Sequence, residues 1–278
     1  MLRAFGFTDK GRTRPTNEDC FAIHEDLGLL VVADGMGGHN AGEVAARVAV
    51  DAVVDVVREG WSVGLRSPDY DARFGGTRVR LKHDAWPFGY DPSLSGGANL
   101  LRTAVHVASL RVIEAAASAN QYAGMGTTLV AARVDAGRLS VAHAGDSRLY
   151  LLSSGRLRQV TRDDSWVASK LAADPDADPD ALQDHPMRGA LTNAVGAGAC
   201  TDVHVAEHTL VGGELLLLST DGVHSVLDGS RLERMLLDDD DPRSIAQSVI
   251  GAALERGSRD NLTAVVARYV NGAFHDAQ

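Results

Sequence analysis

The stretch of residues 125–161 constrains the fold of this chain more than any other part of the sequence. It contains four apolar runs of strand length, separated by the breaker triplets Asp-Ala-Gly at 135–137, Gly-Asp-Ser at 145–147 and Ser-Ser-Gly at 153–155. We expect strands with such short connections to pair antiparallel, because a parallel neighbour requires a crossover of a dozen residues or more. The stretch therefore predicts an antiparallel sheet and argues against Rossmann-like and flavodoxin-like folds.

Two further apolar runs end in the same dipeptide. Residues 29–33 lead into an Asp-Gly pair that begins at Asp34, and residues 215–218 lead into one that begins at Asp221. Both runs are short, apolar and followed by breakers, which is typical of buried strands. One Asp-Gly pair is a common turn, whereas two at the ends of buried strands indicate that their carboxylates converge.

Three more acidic residues lie at the ends of predicted strands, namely Glu18, Asp146 and Asp260. No His-x-His or Cys-x-x-Cys motif accompanies the five acids, and oxygen ligands of this kind select hard cations such as Mg²⁺ and Mn²⁺. Crowded carboxylates also need cations, because like charges at close range repel one another. The acids therefore predict a site for Mg²⁺ or Mn²⁺. Taken alone, Asp146 also fits a plain turn residue, and Arg14, four residues before Glu18, fits either an anion-binding or a surface residue.

Helices are predicted at residues 42–58, 98–118 and 243–256. The first two carry apolar faces, which favour packing against a sheet. Asn40 and Glu43 have the spacing of a helix cap and its partner at the start of the first helix.

Two long stretches lack a regular pattern. Residues 60–97 are loop-like and rich in basic and aromatic residues, as in a functional insert or a surface insertion. Residues 161–200 are polar, contain prolines and are interpreted as an irregular flap around a short helix at 165–173. With no repeats and no clear linker, we expect one domain over residues 1–278, with the insert at about 60–97 and the flap at about 161–200.

Composition excludes several classes of protein. A net charge of −10 argues against nucleic acid as the main partner, because phosphate binding favours a basic surface. The two cysteines, Cys20 and Cys200, form no disulfide framework, so a reducing compartment is expected. Without a signal peptide or an apolar run of membrane-spanning length, the sequence predicts a cytoplasmic protein with no membrane span.

Six motifs, in order, carry a resemblance to a known family: RPTNED, VVADGMGGHNAGEVA, GMGTTLVAA, AHAGDSRLYLL, LLLSTDGV and SRDNLTAVV. As a set they resemble the metal-dependent Ser/Thr protein phosphatases of type 2C in their bacterial form, and they leave out mainly residues 60–97. The resemblance implies an α+β fold, a four-layer α-β-β-α sandwich of two antiparallel sheets flanked by helices. It also implies hydrolysis of phosphoserine and phosphothreonine in proteins by a metal-activated water, without a phosphoenzyme.

The resemblance further implies a binuclear Mn²⁺ or Mg²⁺ centre. Asp34 would bridge both ions, Asp221 and Asp260 would hold the first ion, and Glu18 with the carbonyl of Gly35 would hold the second.

Other residues are expected to assist this centre. Asp146 would help to hold a third, weaker ion together with Asp221, and Arg14 would bind the substrate phosphate. Asp19 and Asn261 would support the ligands.

The chain also departs from the family pattern. Many relatives read Thr-x-Asp-His-Ser in the flap, where this chain has Asp164 at the position of the His. Many also read Leu-Thr-Arg-Ala-Val-Gly, where this chain has Asn193 at the position of the Arg. No counterpart of the His proposed as general acid in eukaryotic members is evident, and His39 is a weak candidate.

Two alternatives stay open, a catalytically weak regulatory binding module on the same fold and a hydrolase of small phosphoesters. Expected partners are phosphorylated proteins, including a Ser/Thr protein kinase.

Overall fold

The computed structural model describes the chain apart from residues 39–40, 63–69, 75–76, 82–85, 87, 175, 179–180, 183–184, 199 and 271–278. For residues 61–62, 70–74 and 77–81 it describes the backbone. The expected cap at Asn40 and the candidate His39 lie outside the described residues.

The strands and helices of the described residues are numbered in chain order. The strands are Leu2–Asp9 (β1), Asp19–His24 (β2), Leu29–Met36 (β3), Tyr70–Phe74 (β4), Thr77–Leu81 (β5), Gly126–Thr127 (β6), Leu129–Asp135 (β7), Arg138–Ala144 (β8), Arg148–Ser153 (β9), Arg156–Gln159 (β10), His204–Thr209 (β11), Leu215–Ser219 (β12) and Leu262–Tyr269 (β13). The α-helices are Ala41–Ser62 (α1), Gly96–Ser118 (α2), Trp166–Ala173 (α3), Asp221–His224 (α4), Gly229–Leu237 (α5) and Pro242–Glu255 (α6). Short 3₁₀ turns occur at Glu25–Leu27 and Asn120–Tyr122.

Two antiparallel sheets form the centre of the molecule. One has the strand order β1-β13-β12-β9-β10, and the other has the order β11-β8-β7-β3-β2, with β6 paired to β3. Helices α1 and α2 cover the outer face of the second sheet, and α5 and α6 cover the outer face of the first. These four layers confirm the expected α+β sandwich.

Alternating burial explains why the core strands are apolar throughout. In β3, Leu29 and Val31 pack toward the helices, whereas Leu30 and Val32 pack toward the other sheet. Strand β12 divides its leucines between the second helical layer and the inter-sheet core in the same way. A strand covered on both faces must bury every side chain, so its hydrophobic run shows no alternation.

One of the three predicted turns does not join neighbouring strands. The connections at 135–137 and 153–155 are tight hairpins, with positive φ at Ala136 and Ser154. The Gly-Asp-Ser connection at 145–147 instead leads from β8 in one sheet to β9 in the other. The expectation of antiparallel neighbours there was wrong, because a three-residue connection can also step between two stacked sheets. This step places Asp146 at the seam of the sandwich.

The insert is more ordered than the sequence indicated. Helix α1 continues to Ser62, and β4 pairs with β5 as an antiparallel hairpin. Downstream, Trp86 is buried and the ring of Phe88 stacks on His106 of α2 at 4.6 Å between centroids. The loop-like interpretation was therefore wrong at residues 60–62, 70–74, 77–81 and 96–97. It was right for the described residues 86 and 88–95, which lack regular structure but pack on a core helix.

Elements α5 and β11 were missed. Asp228 caps α5 by accepting a hydrogen bond from the N–H of Arg231, and Leu232 and Leu236 bury one helical face. That cap and the i, i+4 leucine spacing were available in the sequence. The short helix predicted in the flap is present as α3, with Ser165 as its N-cap.

Within the described residues, no helix has both the length and the apolar character needed to cross a bilayer.

Candidate metal centre

The predicted site residues meet around one cavity of about 660 Å³. Its lining includes Arg14, Glu18, Asp34, Gly35, Asp146, Asp221, Asp260 and Asn261. Of the residues expected at the site, Asp19 lies outside this lining. Positions far apart in the sequence are thus brought together at one end of the sandwich.

Strand register accounts for the carboxylates of the five-stranded sheet. The end of β12 at Ser219 pairs with the first residue of β9 and the third residue of β13. Asp221 lies two residues after β12, Asp146 two residues before β9, and Asp260 two residues before β13. Since these strands are antiparallel, all three aspartates emerge at the same end of the sheet.

The six-stranded sheet contributes from the opposite side of the cavity. Asp34, near the end of β3, pairs directly with Asp19 at the start of β2. A side chain on Gly35 would collide with the backbone of Gly42, and one on Gly42 would meet the carboxyl carbon of Glu18 at 2.8 Å. Only glycines allow the first turn of α1 to approach so closely. The N–H of Gly42 donates a hydrogen bond to Glu18, where the positive end of the helix dipole favours a carboxylate.

Burial and mutual repulsion raise the pKa values of these carboxyl groups. Burial, followed by the charges of the neighbouring aspartates, holds the pKa of Asp34 well above its usual range. Burial and the charge of Asp221 raise the pKa of Asp146 to about 7. Burial, with the charge of Asp260, also raises the pKa of Asp221, which lies within hydrogen-bonding distance of Asp34. Several raised pKa values in one cavity are typical of a functional site.

The donor set fits divalent cations that prefer oxygen. Among the described residues, the buried Oδ1 atoms of Asp19 and Asp221 have no hydrogen-bond partner, so they lack compensation for the water they have lost. Carboxylates with unsatisfied oxygens match the preference of Mg²⁺ and Mn²⁺. The arrangement is not a ready-made cage, since no three His, Cys, Asp or Glu side chains of the described part are grouped to hold an ion as they stand.

Asp19 lies outside the cavity lining, where it connects β2 to β13 and to the residue that follows β12. Its Oδ2 accepts hydrogen bonds from the hydroxyls of Thr220 at 2.9 Å and Thr263 at 2.7 Å. Burial raises its pKa to about 7, although the two hydroxyls act in the opposite direction. These contacts tie strand ends beside the cavity together, and the role of Asp19 in supporting metal ligands stays a prediction.

Arg14 lies at the rim of the cavity with 49% of its side chain exposed. Its Nη2 is 2.7 Å from Oδ2 of Asp260, and this hydrogen bond raises the pKa of the guanidinium. Asn261 anchors the loop that carries Arg14, because its Nδ2 donates to the carbonyls of Lys10 and Thr16, each at 2.9 Å. Its Oδ1 also accepts the N–H of Glu18 at 2.8 Å.

Two threonines with no predicted role hold the backbone of Asp34. The N–H of Asp34 donates to Oγ1 of Thr128 at 3.0 Å, and Oγ1 of Thr127 donates to the carbonyl of Asp34 at 2.8 Å. The hydroxyl of Thr128 also lies 2.7 Å from that of Ser147, beyond the Asp146 connection. The motif GMGTTLVAA contains both threonines, but no local pattern indicated which strand they would contact.

The flap supplies the remaining wall of the cavity. Its lining residues are Gly189, Leu191, Thr192, Asn193, Ala194, Ala197, Gly198 and Cys200. Of these, the sequence pointed to Asn193 as a departure from a family pattern and to Cys200 as one of the two cysteines. The other residues carry no charge, and nothing in the sequence around them signals a binding function.

Comparisons with known proteins find related phosphatases. The Serine/threonine phosphatase stp of Listeria welshimeri is 30% identical over 262 residues, which cover 93% of this chain and 92% of that protein. The Serine/threonine protein phosphatase PstP of Mycobacterium tuberculosis is 30% identical over 284 residues, which cover 100% of this chain and 47% of that protein. The chain therefore spans about half the length of PstP.

Solved structures show the same fold. The crystal structure of the Mycobacterium tuberculosis phosphatase PstP/Ppp matches with a TM-score of 0.78 and 27% identity, over 97% of this chain and 99% of that chain. The catalytic domain of PstP in complex with 2 manganese ions matches with a TM-score of 0.72 and 27% identity, over 97% of this chain and 99% of that chain. The match to the family described as Protein phosphatase 2C extends over residues 12–266. The resemblance seen in the sequence motifs is confirmed, and the chain belongs to the protein phosphatase 2C family.

Proposed function

We propose that this chain is a metal-dependent protein phosphatase that hydrolyses phosphoserine and phosphothreonine in proteins. The observation that carries the proposal is the meeting of carboxylates from both sheets around one cavity, with a buried oxygen of Asp221 that lacks a partner and an arginine at the rim. The names of the relatives from Listeria and Mycobacterium support the same activity.

Two tightly bound Mn²⁺ or Mg²⁺ ions belong to this proposal. Asp34 would bridge them, with Asp221 and Asp260 on one ion and Glu18 with the carbonyl of Gly35 on the other. When bound, such ions activate water and neutralise charge on a phosphoryl oxygen. The related PstP domain with 2 manganese ions supports the number and type of ion.

The chain's own groups then orient the substrate and the ligands. Arg14 is proposed to bind the phosphate, since its guanidinium is half exposed and already oriented toward the cavity by Asp260. A phosphate can accept two parallel N–H bonds from such a group. Asp146, with Asp221, is proposed to hold a third and weaker ion, and Asp19 keeps the surrounding strand ends together through its two threonines.

The two alternatives predict different outcomes. A regulatory binding module would not need the complete set of acids that meets at this cavity. A hydrolase of small phosphoesters would use the same acids, and would differ in its preference for substrates. A protein kinase as a substrate and a cytoplasmic location stay predictions.

The decisive experiment compares phosphoserine and phosphothreonine peptides with small phosphoesters, in the presence of Mn²⁺ and after chelation. We expect peptide turnover that requires Mn²⁺ or Mg²⁺. Asp34→Asn and Asp221→Asn should retain the fold and raise the barrier by several kcal/mol on the scale of metal-ion catalysis, whereas Asp55→Asn, at an exposed position on α1, should not change turnover. Full peptide turnover after exhaustive metal removal, or hydrolysis of small phosphoesters alone, would contradict the proposal.

A further inference from the structure

The carboxylate of Asp164 joins three parts of the chain beside the cavity. Its Oδ2 accepts hydrogen bonds from the N–H of Gly145 at 3.0 Å and from Nδ2 of Asn193 at 2.7 Å. Its Oδ1 lies 2.9 Å from Nε2 of His204 on β11. Because the side chain is only 13% exposed, these partners replace most of the water that a free carboxylate would bind.

The first contact supports the connection that carries Asp146. The N–H of Asp164 donates to the carbonyl of Gly145 at 3.0 Å, so the two residues are bonded in both directions. Gly145 directly precedes Asp146 and has a φ of 99°, which disfavours other residues. A Cβ atom there would meet Cβ of Thr128 at 2.7 Å. Thr128 therefore supports the connection from the inside of the sandwich, and Asp164 supports it from the flap side.

The second contact supports one side of the cavity. We define the cavity wall as residues 193–198 and 200–202, which include four of the lining residues named above besides Asn193. Asn193 closes the base of this wall, because its Nδ2 donates to the carbonyl of Asp202 at 2.8 Å and its Oδ1 accepts the N–H of Asp202 at 3.1 Å. The bond to Asp164 thus connects the cavity wall to the connection that carries Asp146.

We propose that Asp164 is a positioning residue that holds Asp146 and the cavity wall in a fixed relation to each other. Asp164 and Asn193 both belong to the flap, and they contact each other directly. The two residues therefore form one interaction, between a carboxylate and an amide. The kinetic consequence rests on the proposed phosphatase function, whereas the structural consequence does not.

Hydrogen exchange on the chelated, substrate-free protein tests the structural part. Asp164→Asn retains the size of the side chain but removes its negative charge and one acceptor oxygen, and Asp164→Ala removes all three contacts. Both variants should exchange faster at residues 143–147 and in the cavity wall, with β3 unchanged. Asn193→Ala should also speed hydrogen exchange in the cavity wall. Adding Asp164→Ala to this variant should speed exchange in the wall little further, since both changes remove the bond between Asp164 and Asn193.

Glu214→Gln is the matched control. Glu214 is also a mostly buried carboxylate, and it accepts hydrogen bonds from Ser153 at 2.8 Å and from the N–H of Val211 at 2.8 Å, away from the cavity lining. The Glu214→Gln variant should have a lower melting temperature, but its rates of hydrogen exchange near the cavity should not change. Unchanged exchange in both segments of the Asp164 variants, or the same pattern in Glu214→Gln, would overturn the proposal.

Steady-state kinetics test the functional part. For Asp164→Asn, we expect KM for a phosphopeptide to rise by about tenfold, the scale of one lost hydrogen bond to a charged group. KM for a small phosphoester should change less, because a small substrate does not need the wall. An equal change in KM for both substrates would contradict a role of Asp164 in positioning the wall. A wild-type protein without activity would overturn the proposed function, and the exchange measurements would still decide the role of Asp164.

Discussion

Asp146 lies in the three-residue step between the sheets, and its environment differs from that of a turn residue in solvent. Burial and the charge of Asp221 raise its pKa to about 7. A carboxylate kept in such a place opposes folding when it is charged, because it loses water and faces other anions. This environment is the reason for the proposal that Asp146 is a ligand and not a plain turn residue.

Asp146→Ala should separate these two roles. We expect calorimetric titration to show two tightly bound Mn²⁺ ions, as in the wild type, because Asp34, Asp260 and Glu18 are unchanged. Turnover should fall by roughly 10- to 100-fold, the scale seen when a group that supports a metal site is removed. The melting temperature after chelation should not fall, since a buried charge has been removed. Asp135→Ala, at a hairpin connection, is the control. A wild-type kcat for Asp146→Ala at saturating Mn²⁺ would show that Asp146 is only a turn residue.

At the scale of elements, the structure divides the insert into two parts. Residues 88–95 hold the start of α2, where Oγ of Ser95 accepts the N–H of Ala98 at 3.2 Å. Asn99 of α2 donates to the carbonyl of Asp91 at 2.9 Å, and Trp86 is 7% exposed. These contacts belong to the core of the domain. The basic and aromatic residues of the insert suggest docking of a protein partner, and this role is therefore expected in the part before Trp86.

Two deletions test this division. Replacing residues 66–84 with a short flexible linker should leave folding and turnover of a short phosphopeptide intact, and should change the preference among whole phosphoproteins. Extending the deletion through residue 95 should destabilise the protein by several kcal/mol, because it removes a helix cap and a buried tryptophan. Thermal unfolding and peptide kinetics measure both outcomes. Failure of the shorter deletion to fold would show that the whole insert is structural.

At the scale of the whole molecule, the two sheets meet at a concentration of negative charge. The six-stranded sheet brings Asp34 and the five-stranded sheet brings the acids that follow β12 and precede β9 and β13. Like charges from two sheets at one cavity repel each other. Cations held by ligands from both sheets would replace this repulsion with attraction across the sandwich.

Mn²⁺ should therefore stabilise the folded protein. At a concentration 100 times its Kd, an ion that binds only the folded state adds about 2.7 kcal/mol, or roughly 5–10 °C in Tm for a chain of this size. Differential scanning fluorimetry with Mn²⁺ and with chelator measures the shift. Asp34→Asn should abolish most of it, and Asp239→Asn, in the exposed acidic run at 238–241, should retain it. A shift that depends on Asp239 and not on Asp34 would move the site to the acidic run.

Local patterns in the sequence determined most of the elements and the family. The strand before Asp34, the long helices and the strand before Asp221 were predicted because side-chain periodicity, apolar runs and breakers act over a few residues. Motif order then predicted the fold and the set of acids, which the cavity brings together. Element ends moved by a few residues, as with α1, which continues to Ser62.

Only the tertiary structure decided how distant segments meet. The Gly-Asp-Ser triplet has the same length as the two hairpin turns, yet β8 and β9 belong to different sheets. Each of the two strands pairs with strands from distant parts of the chain, β8 with β11 and β9 with β12, and the triplet itself does not specify this. Asp164 and Asn193 are 29 residues apart, and the fold makes them partners. Arg14 and Asp260 are 246 residues apart and form an ion pair at the cavity rim. Such contacts arise from the packing of whole layers, and no periodicity within a segment encodes them.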